Sequence, residues 1–166
     1  MKINDDLLSY IRENLKKYEN SLLHDKDVDG PYIIEPSKHF NPDLAGPPNV
    51  EEYVRPKIIF WDPLNQLHCF KGSIICPHAD HAEERVFLKP SFWKDGRTER
   101  DMPRQIYGSN GPVLLVSRVY RCSFGHEIVG HDGTLLENIP TGDEMFYLIT
   151  SKLCSLVFSL ASTGQT

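Results

Sequence analysis

Over residues 5–23, apolar side chains recur at spacings of three and four: Leu7, Leu8, Ile11, Leu15, Tyr18, Leu22 and Leu23. That period predicts an amphipathic helix, with Asn4 or Asp5 placed to cap its start. Such a helix either packs on the chain's own domain or acts as a coiled-coil or partner-binding arm through its Leu7, Ile11 and Leu15 face. The pattern then breaks. Residues 28–56 carry Pro31, Pro36, Pro42, Pro47, Pro48 and Pro56 with glycines between them, and no period supports a regular element there. This stretch reads as a linker or an extended wrapping segment.

Strand-like runs begin at Ile58-Ile59-Phe60-Trp61, which Asp62-Pro63 stops. A second, Ser73-Ile74-Ile75, leads into Cys76. Residues 82–112 read as irregular, punctuated by Lys89-Pro90, Asp95-Gly96, Met102-Pro103 and Asn110-Gly111-Pro112. The strongest strand follows, from Val113 to Cys122, and Ser123-Phe124-Gly125 turns it back into His126-Glu127-Ile128-Val129, a β-hairpin. Residues 144–161 predict a closing helix. Its apolar stretch from Met145 to Ala161 is broken by Thr150-Ser151-Lys152 and Ser155, which suits a buried helix better than a membrane span.

A length of 166 residues, 40% hydrophobic and 25% charged, fits one globular domain with appendages. The net charge of −5 is unevenly spread. Lys+Arg against Asp+Glu is 6 to 10 over residues 1–51, 11 to 9 over 52–131, and 1 to 4 over 132–166. The slightly basic middle allows a DNA contact through segment 85–121 without demanding one. The first residues, Met1-Lys2-Ile3-Asn4-Asp5-Asp6, lack an apolar leader, so an intracellular, reducing setting, and within it a nuclear one, is the expectation; there paired Cys and His more often hold metal than form disulfides.

Two short motifs carry that chemistry: Cys76-Pro77-His78-Ala79-Asp80-His81 and Cys122-Ser123-Phe124-Gly125-His126. Each joins a thiol to an imidazole at a strand end, on a turn shaped by Pro77 or Gly125. Together they predict a tetrahedral Zn²⁺ site from Cys76, Cys122, His126 and either His78 or His81. Ala79 stands where a Cys-Pro-x-Cys motif would place its second thiol, so the fourth ligand is open. The separation of about forty residues also exceeds the usual zinc-ribbon spacing of about 15–20. Cys69 and Cys154 read as small core residues, and Trp61, Phe92 and Trp93 as core or motif-packing aromatics with base stacking as the rival role. Arg97, Arg100 and Arg104 sit among Glu99 and Asp101, the pattern of a solvated surface, with phosphate contact as the alternative.

The first motif also resembles the His-x-His-x-Asp-His box of metallo-β-lactamase-type hydrolases, with Cys in first place. Gly125-His126 and Thr141-Gly142-Asp143 follow in the order of that family's later ligands. That likeness implies His78, Asp80, His81, His126 and Asp143 around a water-activating metal. Against it, too few strands precede the box, the remaining length is short, and no histidine follows His131. A module for protein interaction without metal is a further alternative.

The order of Phe60-Trp61-Asp62-Pro63-Leu64, Cys76-Pro77, Pro103-Arg104 with Tyr107, the run from Leu114 to Cys122, Gly125-His126, His131-Asp132 and Phe146-Tyr147-Leu148 resembles something else more closely. Over residues 56–153 it is similar to an uncharacterised zinc-ribbon-like domain of transposon-derived eukaryotic proteins. The resemblance implies a non-catalytic metal-binding module for DNA or protein recognition. The resulting expectation is an α+β fold: a small zinc-stapled antiparallel sheet with N- and C-terminal helices and long irregular segments. Its divisions are a helix over 1–27, a Pro-rich segment over 28–56 and the zinc-ribbon-like domain over 57–166.

Overall fold

A computed structural model describes residues 3–24, 30–38, 54–67, 70, 73–81, 85–108 and 111–136. Helix α1 spans Asp5–His24. The strands are β1 (Tyr32–Ile34), β2 (Ser37–Lys38), β3 (Val54–Arg55), β4 (Lys57–Trp61), β5 (Ile74–Ile75), β6 (Phe87–Trp93), β7 (Arg104–Gly108), β8 (Gly111–Arg121) and β9 (Glu127–Val129). Seven of them form one open sheet, and β2 pairs with β3 separately.

The long strand β8 organises the sheet because it has partners on both edges. Its first half pairs with β4 in parallel and with β7 antiparallel. Its second half pairs antiparallel with β6 and β9. Strand β1 adds to β4, and β5 adds to β6. The α+β class therefore holds, but the sheet is mixed rather than antiparallel, since β4 and β8 run side by side in one direction.

Both central strands are buried on both faces, which their unbroken apolar runs require. Ile58, Phe60, Leu114 and Val116 pack with Leu7, Leu8, Ile11, Leu15 and Tyr18 of α1. Ile59, Trp61, Val113 and Leu115 point the other way, into a second cluster with Leu67, Ile106, Cys76 and Cys122. Asn4 caps α1 by accepting the Leu7 N–H at 2.9 Å. Ile11 and Tyr18 are fully buried, each contributing about 1.5–3 kcal/mol by leaving water. The helix face offered by sequence to a partner is thus covered by the chain's own sheet.

A buried polar network ties these layers together. The Tyr120 hydroxyl donates to Asp62 and accepts the Leu64 N–H. Gln66 donates to the Tyr18 hydroxyl and to the Phe60 carbonyl, both at 3.0 Å. Gly96 seals the other flank of the helix. Its φ is +78°, Arg12 donates to its carbonyl, and a Cβ there would meet Leu8 Cδ2 at 2.3 Å.

Several expectations need correction. Residues 82–112 are not irregular: they contain β6 and β7. Pro90 is held within β6 because the register of that strand shifts between Pro90 and Trp93, the kind of irregularity that accommodates proline within a sheet. Within 28–56, β1 lies between Pro31 and Pro36 as an edge strand, so that part wraps onto the sheet. Trp61 and Trp93 are core residues, and Phe92 is half-buried. The predicted helix over 144–161, Cys69, Cys154 and Thr141-Gly142-Asp143 lie outside the described residues. No helix among the described residues is long and apolar enough to cross a membrane.

Candidate metal centre

Strand β6 is what brings the two Cys/His motifs together. It runs antiparallel to both β5 and β8, so these two strands run parallel to each other and deliver Cys76 and Cys122 to the same end of the sheet. Cys76 holds this position by donating its N–H to the Val86 carbonyl at 2.7 Å. The turn after Cys122 is closed by Gly125 N–H to the Cys122 carbonyl at 3.0 Å and Cys122 N–H to the His126 carbonyl at 3.1 Å. Gly125 takes φ +87°, the conformation anticipated for this turn. His81 closes a single helical turn, Ala79–His81, by donating its N–H to the His78 carbonyl.

One donor atom from each of Cys76, His81, Cys122 and His126 lies within 4.8 Å of all the others. His81 Nε2 and His126 Nδ1 are 3.0 Å apart, and Cys122 Sγ is 3.5 Å from the first and 3.4 Å from the second. Cys76, His81 and Cys122 are buried, and His126 is partly exposed. Neither cysteine is in a disulfide. Four electron-rich donors converging this closely can hold a metal ion, which would replace mutual repulsion with shared attraction.

The backbone prepares the sulfurs for that task. Burial raises the Cys122 thiol pKa, but the N–H groups of His126, Phe124 and Gly125, together with the Cys76 thiol, outweigh it and leave it below the ordinary thiol value. For Cys76, burial dominates and raises the pKa; the His78 N–H opposes this, and the neighbouring Cys122 adds to the rise. The two thiols are thus pushed in opposite directions, Cys122 toward easier deprotonation and Cys76 away from it, and a bound cation would favour deprotonation of both.

His78 takes a different place. Its ring stacks on His126 with centroids 3.8 Å apart and planes 4° from parallel. Imidazole lone pairs lie in the ring plane, so an ion in the plane of one stacked ring is displaced from the plane of the other. The grouping of His78, Asp80 and His126 within 4.8 Å is consequently poor at sharing one ion through both rings. Asp80 instead faces His126 Nε2 at 3.7 Å and His78 Nδ1 at 3.3 Å. His126 Nδ1 is the nitrogen turned toward Cys122 and His81, and Nε2 faces Asp80; a metal held at Nδ1 would leave the proton on Nε2, on the carboxylate's side. The Phe124 ring lies 4.7 Å from that of His81.

Of the five residues singled out by sequence, the fold thus gathers Cys76, His81, Cys122 and His126, and leaves His78 beside them. The arginines divide as solvated charges do: Arg97 pairs with Asp95 and Arg100 with Glu127. Asp80 was marked in the sequence as a ligand only by the likeness to the hydrolase box, and the fold sets it beside the four donors; Phe124 carried no signal beyond its place inside the second motif. Comparison of the chain with family models, curated proteins and solved structures gives no match.

Proposed function

We propose that this chain is a non-catalytic zinc-binding module, of the transposon-derived kind that residues 56–153 resemble, in which the metal fixes one end of the sheet for recognition of DNA or protein in the nucleus. The observation carrying this reading is the donor set. Two sulfurs and two imidazole nitrogens are a common structural zinc shell, and four protein ligands leave no position for a reactive water. Zn–S bonds of about 2.3 Å and Zn–N bonds of about 2.05 Å give tetrahedral edges of about 3.3 Å between nitrogens and about 3.6 Å between nitrogen and sulfur. The separations of 3.0, 3.4 and 3.5 Å are close to those edges.

Cys76, His81, Cys122 and His126 would hold the ion, which supplies a cross-link between the two motifs and no chemistry. The surrounding residues orient the ligands and exclude water. The test is elemental analysis of the purified chain, with one zinc expected per molecule. Replacement by Co²⁺ should give the absorption of a tetrahedral thiolate site, and Asp143→Ala should leave metal content unchanged. A folded preparation without stoichiometric metal would overturn the structural-site reading, and loss of metal in Asp143→Ala would return the hydrolase reading to consideration.

A further inference from the structure

A groove of about 610 Å³ opens beside the metal centre, between the start of β6 and the end of β8. Its walls include Arg85, Lys89 and Arg121, with Phe87 and Phe124 as the aromatic members, and none of its lining residues is acidic. Phe87 and Phe124 are 50% and 64% exposed, a large apolar cost to maintain around one depression. The strand period explains their company: Phe87 and Lys89 are two residues apart on β6 and share its outer face, while Leu88 between them is buried.

A second observation points to an anion. Lys89 and Arg121 are directly paired across β6 and β8, an opposition of like charges that destabilises a sheet unless something negative lies between or beside them. Glu127 relieves Arg121 from the far edge, where the two form an ion pair, but Glu127 also serves Arg100. Among the described residues, neither Lys89 nor Arg85 has an acidic partner. Glu83 and Glu84, which precede Arg85, lie outside those residues.

We propose that this groove binds single-stranded nucleic acid, stacking bases on Phe87 and Phe124 and holding phosphates with Arg85, Lys89 and Arg121. Exposed ring faces interleaved with cations suit unpaired bases on a charged backbone. A duplex keeps its base faces covered and offers nothing to either ring. The volume is on the order of that needed for one or two nucleotides. The inference rests on the metal reading in one respect: Phe124 sits on the turn between ligands Cys122 and His126, so the metal positions one of the two rings.

The experiment is a fluorescence-anisotropy titration of the zinc-loaded full chain with a labelled thymidine oligonucleotide about 12 nucleotides long. Three phosphate contacts predict a slope of about −2 in log affinity against log salt. Phe87→Ala and Phe124→Ala should each weaken binding by roughly five- to a hundred-fold. Lys89→Glu should weaken it and make the salt slope shallower by at least about 0.7. Zinc content and circular dichroism of each variant report separately on the metal centre and the fold. Phe87 lies outside the ligand set, so its variant tests the groove with the centre intact.

Zinc-replete protein that ignores the oligonucleotide at low salt overturns the inference and spares the metal reading. Metal-free protein that still binds it through Phe87 does the reverse. Equal affinity for a duplex, equal competition by polyglutamate, or unchanged binding in Phe87→Ala also overturns the inference.

Discussion

Acidification from pH 7 to about pH 4.5 should cost the fold roughly 2–3 kcal/mol through one side chain, His131. Its Nδ1 lies 2.6 Å from the Oγ of Ser117, which is fully buried. Burial is the main cause that lowers the pKa of His131 from 6.5 to about 4; Arg104 lowers it further, Asp132 opposes, and Lys94 adds to the depression. The unfolded chain takes up a proton here near pH 6.5, while the folded chain resists until about pH 4. Stability from this group is therefore complete above about pH 6.5 and is lost as the pH falls toward 4. A shift of about 2.5 units, at about 1.36 kcal/mol each, gives a full loss of about 3.4 kcal/mol, most of it reached by pH 4.5. The assay is urea unfolding of the wild-type chain and His131→Asn at a series of pH values. Asn can keep a polar atom near the position of Nδ1, and acid protonation of the metal ligands affects both proteins alike, so it cancels in the difference. The wild-type chain should lose more stability than the variant between pH 6.5 and 4.5. Parallel curves for the two proteins over that interval would refute the reasoning.

Three other perturbations test different parts of the structure. Tyr120→Phe removes the donor to buried Asp62 and the acceptor for Leu64 N–H, and should cost about 2–4 kcal/mol by urea unfolding; a loss under about 1 kcal/mol would show that water replaces the hydroxyl. Gly96→Ala adds a Cβ 2.3 Å from Leu8 Cδ2 at a φ of +78°, and should cost about 2–5 kcal/mol; Leu8→Ala in the same chain should recover the steric part and leave the backbone part, so strictly additive losses would count against it. At the metal centre, His81→Ala should abolish stoichiometric metal whereas His78→Ala retains it, and Asp80→Asn should weaken affinity about ten- to a hundred-fold in competition with a chromophoric chelator. Equal effects of His78→Ala and His81→Ala would contradict the division of roles argued from the ring stack.

Much of the site was legible because its signals are local. Cys122, Gly125 and His126 occupy one hairpin turn, and the strong apolar run of β8 marks where that turn begins. The face of α1 was equally plain, since its period of 3.6 needs no distant partner to be recognised. What stayed hidden depends on contacts remote in sequence. The parallel pairing of β4 and β8 joins residues 57–61 to 113–117, and no local pattern announces it. The choice between His78 and His81 was decided by where each ring meets His126, 45 residues away in the case of His81. Phe87 and Phe124 gave no warning because one sits between apolar Val86 and Leu88 and the other between turn residues Ser123 and Gly125, and only the fold puts them on one groove.

The long interval between the motifs is explained by the strand that sequence reading passed over. In a compact zinc ribbon, ligand pairs sit on neighbouring hairpin tips, which keeps their spacing short. Here β6 is inserted between the two ligand-bearing strands and hydrogen-bonded to both, so the chain must travel out through β6, run through β7 in the same direction, and return along β8 before the second motif arrives. The added length is thus a requirement of the topology. The same strand turns Leu88 inward to the core shared by Cys76 and Cys122, and turns Phe87 and Lys89 outward to the groove. A cross-link between the motifs therefore clamps both sides of β6. A metal held there would couple the rigidity of the proposed recognition surface to its own occupancy without touching the ligand.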